Sequence, residues 1–173
     1  MTAIAEPVKE LSSQLCFYLN NDLDWKLALR RLADSEVSLH LAVLTEPFLG
    51  WLLDGSKTIE SRFSRVRCAH YGVLTAGDIV AVKKPGGPVI GTFQAGQVFS
   101  YQLTPSVVAE LRARFAEQIR ADDEEFWQQR ADCTYATLIQ VKHVRALPCL
   151  LFPKKDRRGW ARLSHASSQL AMP

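Results

Sequence analysis

The 173-residue chain has no uninterrupted apolar stretch of about 18 residues, so no membrane-spanning helix is expected. Its start has no signal-peptide core, because Glu6, Lys9 and Glu10 fall where that core would lie. Cysteine is sparse: Cys16, Cys68, Cys133 and Cys149 form no Cys-x-x-Cys pair and have no histidine at zinc-ligand spacing. Free thiols in a reducing, cytoplasmic setting are expected, with no structural metal and no cofactor. His40, His70, His143 and His165 form no metal spacing and read as incidental. No phosphate-binding loop, dinucleotide fingerprint or nucleophile elbow is present. No repeat is visible, and the strand–helix alternation of a doubly wound sheet is missing. Charge excess is also small, +3 in total, too little to argue for a polyanionic partner.

What is present is ordinary globular material, 47% hydrophobic and 23% charged, in a chain long enough for one self-sufficient core. The charge is unevenly spread. Residues 1–36 sum to −2 and residues 37–173 to +5. Basic residues bunch over 57–84 (Lys57, Arg62, Arg65, Arg67, Lys83, Lys84) and over 142–162. The second group includes Lys142, Arg145, Lys154, Lys155, Arg157, Arg158 and Arg162. Acid collects between them, ending in Asp122-Asp123-Glu124-Glu125. A polarised body of this kind suits a polyanion-binding face, and equally a set of solvated loops.

The pattern divides the chain into a helical appendage (1–36), a main domain (37–165) and a flexible tail (166–173). In the appendage, Trp25, Leu27, Leu29 and Leu32 recur at rough helical spacing, with Asp22 or Asp24 as cap. Leu39, Leu41 and Val43 suggest a strand over 38–44. Thr45-Glu46-Pro47 reads as a helix start with Thr45 as the cap, and Asp54-Gly55 as its end. Strands follow over 57–63, 78–84 and 89–101, the last two joined by the turn Pro85-Gly86-Gly87-Pro88. Gly91 and Gly96 lie inside the long strand, as in a curled sheet. Helices begin at Thr104-Pro105 and at Asp122, and strands are expected over 134–144 and 160–163. The fold class is therefore α+β, a small barrel of five or six strands with inserted helices.

The segment Gly55-Ser56-Lys57-Thr58-Ile59-Glu60-Ser61-Arg62 resembles the ASCH-domain family. That family's signature is Gly-x-Lys-x-x-Glu-x-Arg after a short helix, on a PUA-like β-barrel. Gly77-Asp78, Gly91, Phe126-Trp127 with residues 135–139, and the closing segment 154–160 fit the same order. The resemblance covers about residues 38–163. It implies RNA or nucleotide binding, with two enzymatic alternatives: an amidohydrolase acting on acylated cytidines, or a ribonuclease. With no apolar stretch long enough to span a bilayer, no membrane partner is expected. The fold alone does not choose among these.

Alternate strand residues share a face, so Thr58, Glu60 and Arg62 should point one way. Lys57, at the start of the strand, is freer in direction. The resemblance makes Lys57 and Glu60 the catalytic candidates. It makes Lys57, Thr58, Glu60, Arg62, Arg65, Lys154, Arg158 and Trp160 the ligand-binding set. Arg62 offers a planar fork to phosphate or carboxylate. The plainer alternative is an ion pair of Glu60 with Arg62 or Lys57 that satisfies only itself. Deacylase-like members carry a threonine three residues after the lysine. Here that position is Glu60, which counts against a threonine nucleophile. Glu117 and Glu124 are the candidates for a distant carboxylate. Tyr135 and Trp160 are open to base stacking or to core packing, and Lys83 and Lys84 to phosphate contact or hairpin decoration. A non-catalytic interaction module is the third reading of the whole.

Overall fold

The structure is a computed structural model that describes residues 5–153 and 157–165. Two helices come first, α1 (Ala5–Leu19) and α2 (Leu23–Ala33). Val8, Leu11, Leu15 and Leu19 recur three or four apart and form the buried stripe of α1. Asp22 caps α2 by accepting from the Asp24 N–H. Trp25, Ala28 and Leu29 form its buried face, whereas Leu27, expected on that face, is 65% exposed.

Six strands make one mixed sheet: β1 (Leu39–Val43), β2 (Ile59–Ser64), β3 (Ile79–Lys83), β4 (Val89–Gln102), β5 (Tyr135–Leu150) and β6 (Trp160–Arg162). Their order is β2-β5-β4-β3-β1-β6. Only β1 and β3 run parallel. The α+β expectation of a small barrel of five or six strands with inserted helices is met by six strands, and the barrel is open, with β2 and β6 at the two ends of the sheet. The strand expected from residue 57 begins only at Ile59, and the one expected to end at 144 runs on to Leu150.

Alternation in β1 and β3 builds two cores. Leu39, Leu41, Ile79 and Ala81 face α1 and α2. Ala42, Val80 and Val82 face inward with Phe93, Ile139 and Trp160. The N-terminal helices are thus packed on the sheet. Their junction is pinned by Arg145 Nε, 2.5 Å from Asp22 Oδ2, and by the Trp25 indole donating to the His143 carbonyl at 2.8 Å.

Helix α3 (Phe48–Leu53) follows β1. Thr45 does not cap it. Glu46 Oε2 instead accepts from the Gly50 N–H at 2.9 Å, because the helix starts later than the hydroxyl can reach. Gly91 has a packing reason: a Cβ there would lie 2.4 Å from Leu53 Cδ2 of α3. Helices α4 (Pro105–Ile119) and α5 (Glu124–Gln128) cover the other side of β2 and β5. Thr104 caps α4 as expected, and Asp123 rather than Asp122 caps α5. Among the described residues no helix is long and apolar enough to cross a membrane.

Candidate functional site at the barrel mouth

Glu60 and Arg62 lie two apart on β2 and share its inner face, as alternation requires. Lys57 reaches the same place from the preceding loop. There the Lys57 N–H donates to the Trp51 carbonyl and the Thr58 N–H to the Gln118 carbonyl. This turn sends the Lys57 side chain inward and leaves Thr58 exposed. Lys57 is 2% and Glu60 3% exposed.

The three charged groups converge. Arg62 Nε is 2.7 Å from Glu60 Oε1, and Lys57 Nζ is 3.5 Å from Glu60 Oε2. Lys57 Nζ also donates to the Ile119 carbonyl at 2.8 Å, at the end of α4. Burial pushes the Lys57 pKa below its ordinary value, and Arg62 and Arg130 add to that push, while Glu60 opposes it. Arg62 does more than pair. Its Nη1 donates to the Gly159 carbonyl and its Nη2 to the Val43 carbonyl, each at 3.2 Å. Its guanidinium lies 5.2 Å from the Trp160 ring centroid. Arg62 therefore bridges the two free ends of the sheet, β2 to β1 and β6. The two basic segments that are far apart in sequence meet at this residue.

These groups face a pocket of about 140 Å³, which Arg130 enters from the end of α5. Its guanidinium stacks 3.6 Å from the Phe126 ring centroid, and Nη1 donates to the Phe126 carbonyl. The pocket thus holds three cations and one carboxylate, with Thr45 and Ser61 also on its wall. It opens beside a hollow of about 440 Å³ edged by Phe48, Trp51 and Arg120. Arg130 was not singled out in the sequence. Its signal was there, an arginine four residues after Phe126, the spacing at which a helical side chain covers an aromatic ring.

Solved structures carry this architecture. The crystal structure of ASCH from Zymomonas mobilis superposes with a TM-score of 0.53 at 14% identity, covering 65% of this chain and 73% of that chain. A serine-to-alanine variant of the same protein gives a TM-score of 0.59 at 13% identity, covering 75% and 90%. The fold is that of an ASCH domain. No protein-family model and no curated protein matches the chain.

In this ASCH fold the remaining candidates are dispersed. Arg65 is turned to the surface, paired with Asp132. Arg158 lines two further hollows at the mouth. Lys154 lies outside the described residues, as do Lys155 and the tail 166–173. Trp160 is 3% exposed and belongs to the inner core, so its ring supports Arg62 rather than facing solvent. Glu117 is exposed, and Glu124 is 2.6 Å from Arg112, so neither lines the pocket.

The histidines are not all incidental. The Trp160 indole N–H donates to His40 Nδ1 at 3.1 Å. That nitrogen must be the acceptor, so the ring proton sits on Nε2 and faces Asp78 Oδ2 at 3.2 Å. Asp78 also accepts from the Ser38 and Thr75 N–H groups at 2.7 and 2.9 Å. Burial pushes its carboxyl up, but these hydrogen bonds outweigh that and hold it below the ordinary value. His70 is buried against Thr137 Oγ1 at 3.0 Å. Burial, with Arg62 beside it, lowers its pKa to about 4. Single histidines at unrelated spacings gave no sequence sign of these partners.

Proposed function

We propose that the chain binds RNA or a nucleotide in the basic pocket around Lys57, Glu60 and Arg62. One observation carries the reading: three cations, Lys57, Arg62 and Arg130, surround a single carboxylate in a pocket with free volume beside it. A pair that only neutralised itself would need one cation. The surplus suits a phosphate, and the Arg62 fork and the Arg130 guanidinium offer planar donors to its oxygens. The ASCH fold of the Zymomonas mobilis protein is consistent with this reading. Its test is the affinity of a fluorescent single-stranded RNA across a salt series. Affinity should fall steeply with salt, because phosphate contacts release counterions. Salt-insensitive affinity, or none, removes the proposal.

A second reading is a small hydrolase acting on a modified nucleoside, and the depressed pKa of Lys57 beside Glu60 favours it. In it Lys57 serves as general base and Glu60 holds it in place. Thr58, exposed, takes no part. The check is hydrolysis of an N-acylated cytidine by the protein and by Lys57→Met. Equal turnover by the two would remove the lysine's role.

A further inference from the structure

Resting on the RNA-binding reading, we infer that the mouth carries a second subsite, at Arg67, Tyr71 and Tyr135, which stacks an unpaired base. The ligand is then a single-stranded segment of at least two nucleotides rather than a free nucleotide.

The subsite lies across Arg62 from the Lys57 pocket. Arg62 lines both that pocket and a hollow of about 500 Å³, so the two share a wall. Among the described residues the hollow is lined by Arg62, Arg67 and Arg158 and by no acidic side chain. Its histidine, His70, with a pKa of about 4, is neutral at pH 7 and adds no charge. Ser64 Oγ, on the same face of β2 as Arg62, is buried without a hydrogen-bond partner. A buried hydroxyl left unpaired costs free energy unless a ligand or water meets it.

The aromatic edge of the subsite follows from the register. Tyr135 of β5 is paired with Ser64 of β2, so both project to one face. The Tyr71 ring packs against Tyr135 with centroids 4.9 Å apart. Arg67 lies 5.8 Å from the Tyr71 centroid and 5.6 Å from that of Tyr135. Arg67 is exposed and, among the described residues, has no carboxylate within ion-pair distance, unlike Arg65 two residues earlier. A cation laid on two half-exposed rings next to a hollow that Arg62 shares with the Lys57 pocket is the chemistry that recognises a phosphate followed by an unpaired base.

The test compares uridine 5′-monophosphate, a fluorescent single-stranded hexauridylate, a duplex of equal length and polyglutamate as competitor. Proteins are the full chain, Arg67→Met, Tyr71→Leu and Lys57→Met. Arg67 is exposed, so its variant is expected to fold. Each subsite variant should weaken hexauridylate binding about tenfold, the scale of one lost stacking contact, and leave the monophosphate unaffected. Lys57→Met should weaken both, and the duplex should bind more weakly than the single strand. The subsite is overturned if Arg67→Met and Tyr71→Leu bind hexauridylate like the parent while Lys57→Met does not. Equal duplex affinity, or displacement by polyglutamate as effective as by RNA, also overturns it. A parent chain that binds neither RNA nor monophosphate instead removes the RNA-binding reading, and the subsite with it.

Discussion

The His40–Asp78 cluster and the Lys57–Glu60–Arg62 cluster are both buried and both touch Trp160. Each centres on a carboxylate, and they complete it differently. Asp78 receives His40, two backbone N–H groups and the Thr75 hydroxyl, and no cavity faces it among those described at the mouth. Glu60 receives two cations, and a third, Arg130, stands across a pocket. The first arrangement is a closed network that fixes where β1, β3 and β6 meet. The second leaves positive charge and volume available. Burial of charge therefore does not by itself mark a site; surplus charge facing a cavity does.

The contrast can be broken at several points. Asp78→Ala should have the largest effect, about 3–5 kcal/mol of lost stability, because His40 and the Ser38 and Thr75 N–H groups lose their acceptor. Urea denaturation measures it, and the folded fraction should still bind RNA with the parent's affinity. An affinity loss exceeding the unfolded fraction would place Asp78 in the site.

Acid tests the hollow side. His70 stays neutral when folded down to about pH 4, whereas the unfolded histidine gains its proton near 6.5. The unfolded state then binds more protons within that window, so stability falls as pH drops through it. From pH 7 to pH 5 the loss should be about 2 kcal/mol for this group. His70→Gln should flatten that slope; a slope unchanged in the variant would assign the acid sensitivity elsewhere.

Arg62→Lys separates charge from shape. Lysine keeps the cation but loses the fork that reaches Gly159 and Val43, so about 1–2 kcal/mol of stability should go. Lys57→Met should cost less than Asp78→Ala, on the order of 1 kcal/mol, since Glu60 retains Arg62. Its RNA affinity should nevertheless fall about tenfold. A Lys57→Met protein as unstable as Asp78→Ala would make the two clusters equivalent and the contrast empty.

Much of the fold was legible because its signals are local. Thr104-Pro105 announced α4, and the alternation at Leu39, Leu41 and Val43 announced β1. The Gly-x-Lys-x-x-Glu-x-Arg segment announced β2 and two of its inward charges. The open ends of the sheet were not legible, because they depend on Arg62 reaching carbonyls 19 and 97 residues away. Lys57 entered the pocket by a turn, not by strand alternation. Arg65 and Trp160 went elsewhere for reasons fixed by partners: Asp132 drew one outward, and His40 drew the other inward. The role of His40 was hidden for the same reason, since Asp78 lies 38 residues away.

The most direct measurement is the affinity of single-stranded RNA for the parent chain and for Arg130→Met across a salt series. The Arg130 side chain has no carboxylate partner among the described residues and its hydrogen bond to the Phe126 carbonyl stays within its own helix end, so removing it should leave the barrel intact. The account predicts affinity about tenfold weaker and a salt dependence reduced by the equivalent of about one phosphate contact. Identical affinity and salt slope for the two proteins would contradict it, because the surplus cation at Glu60 would then hold no ligand.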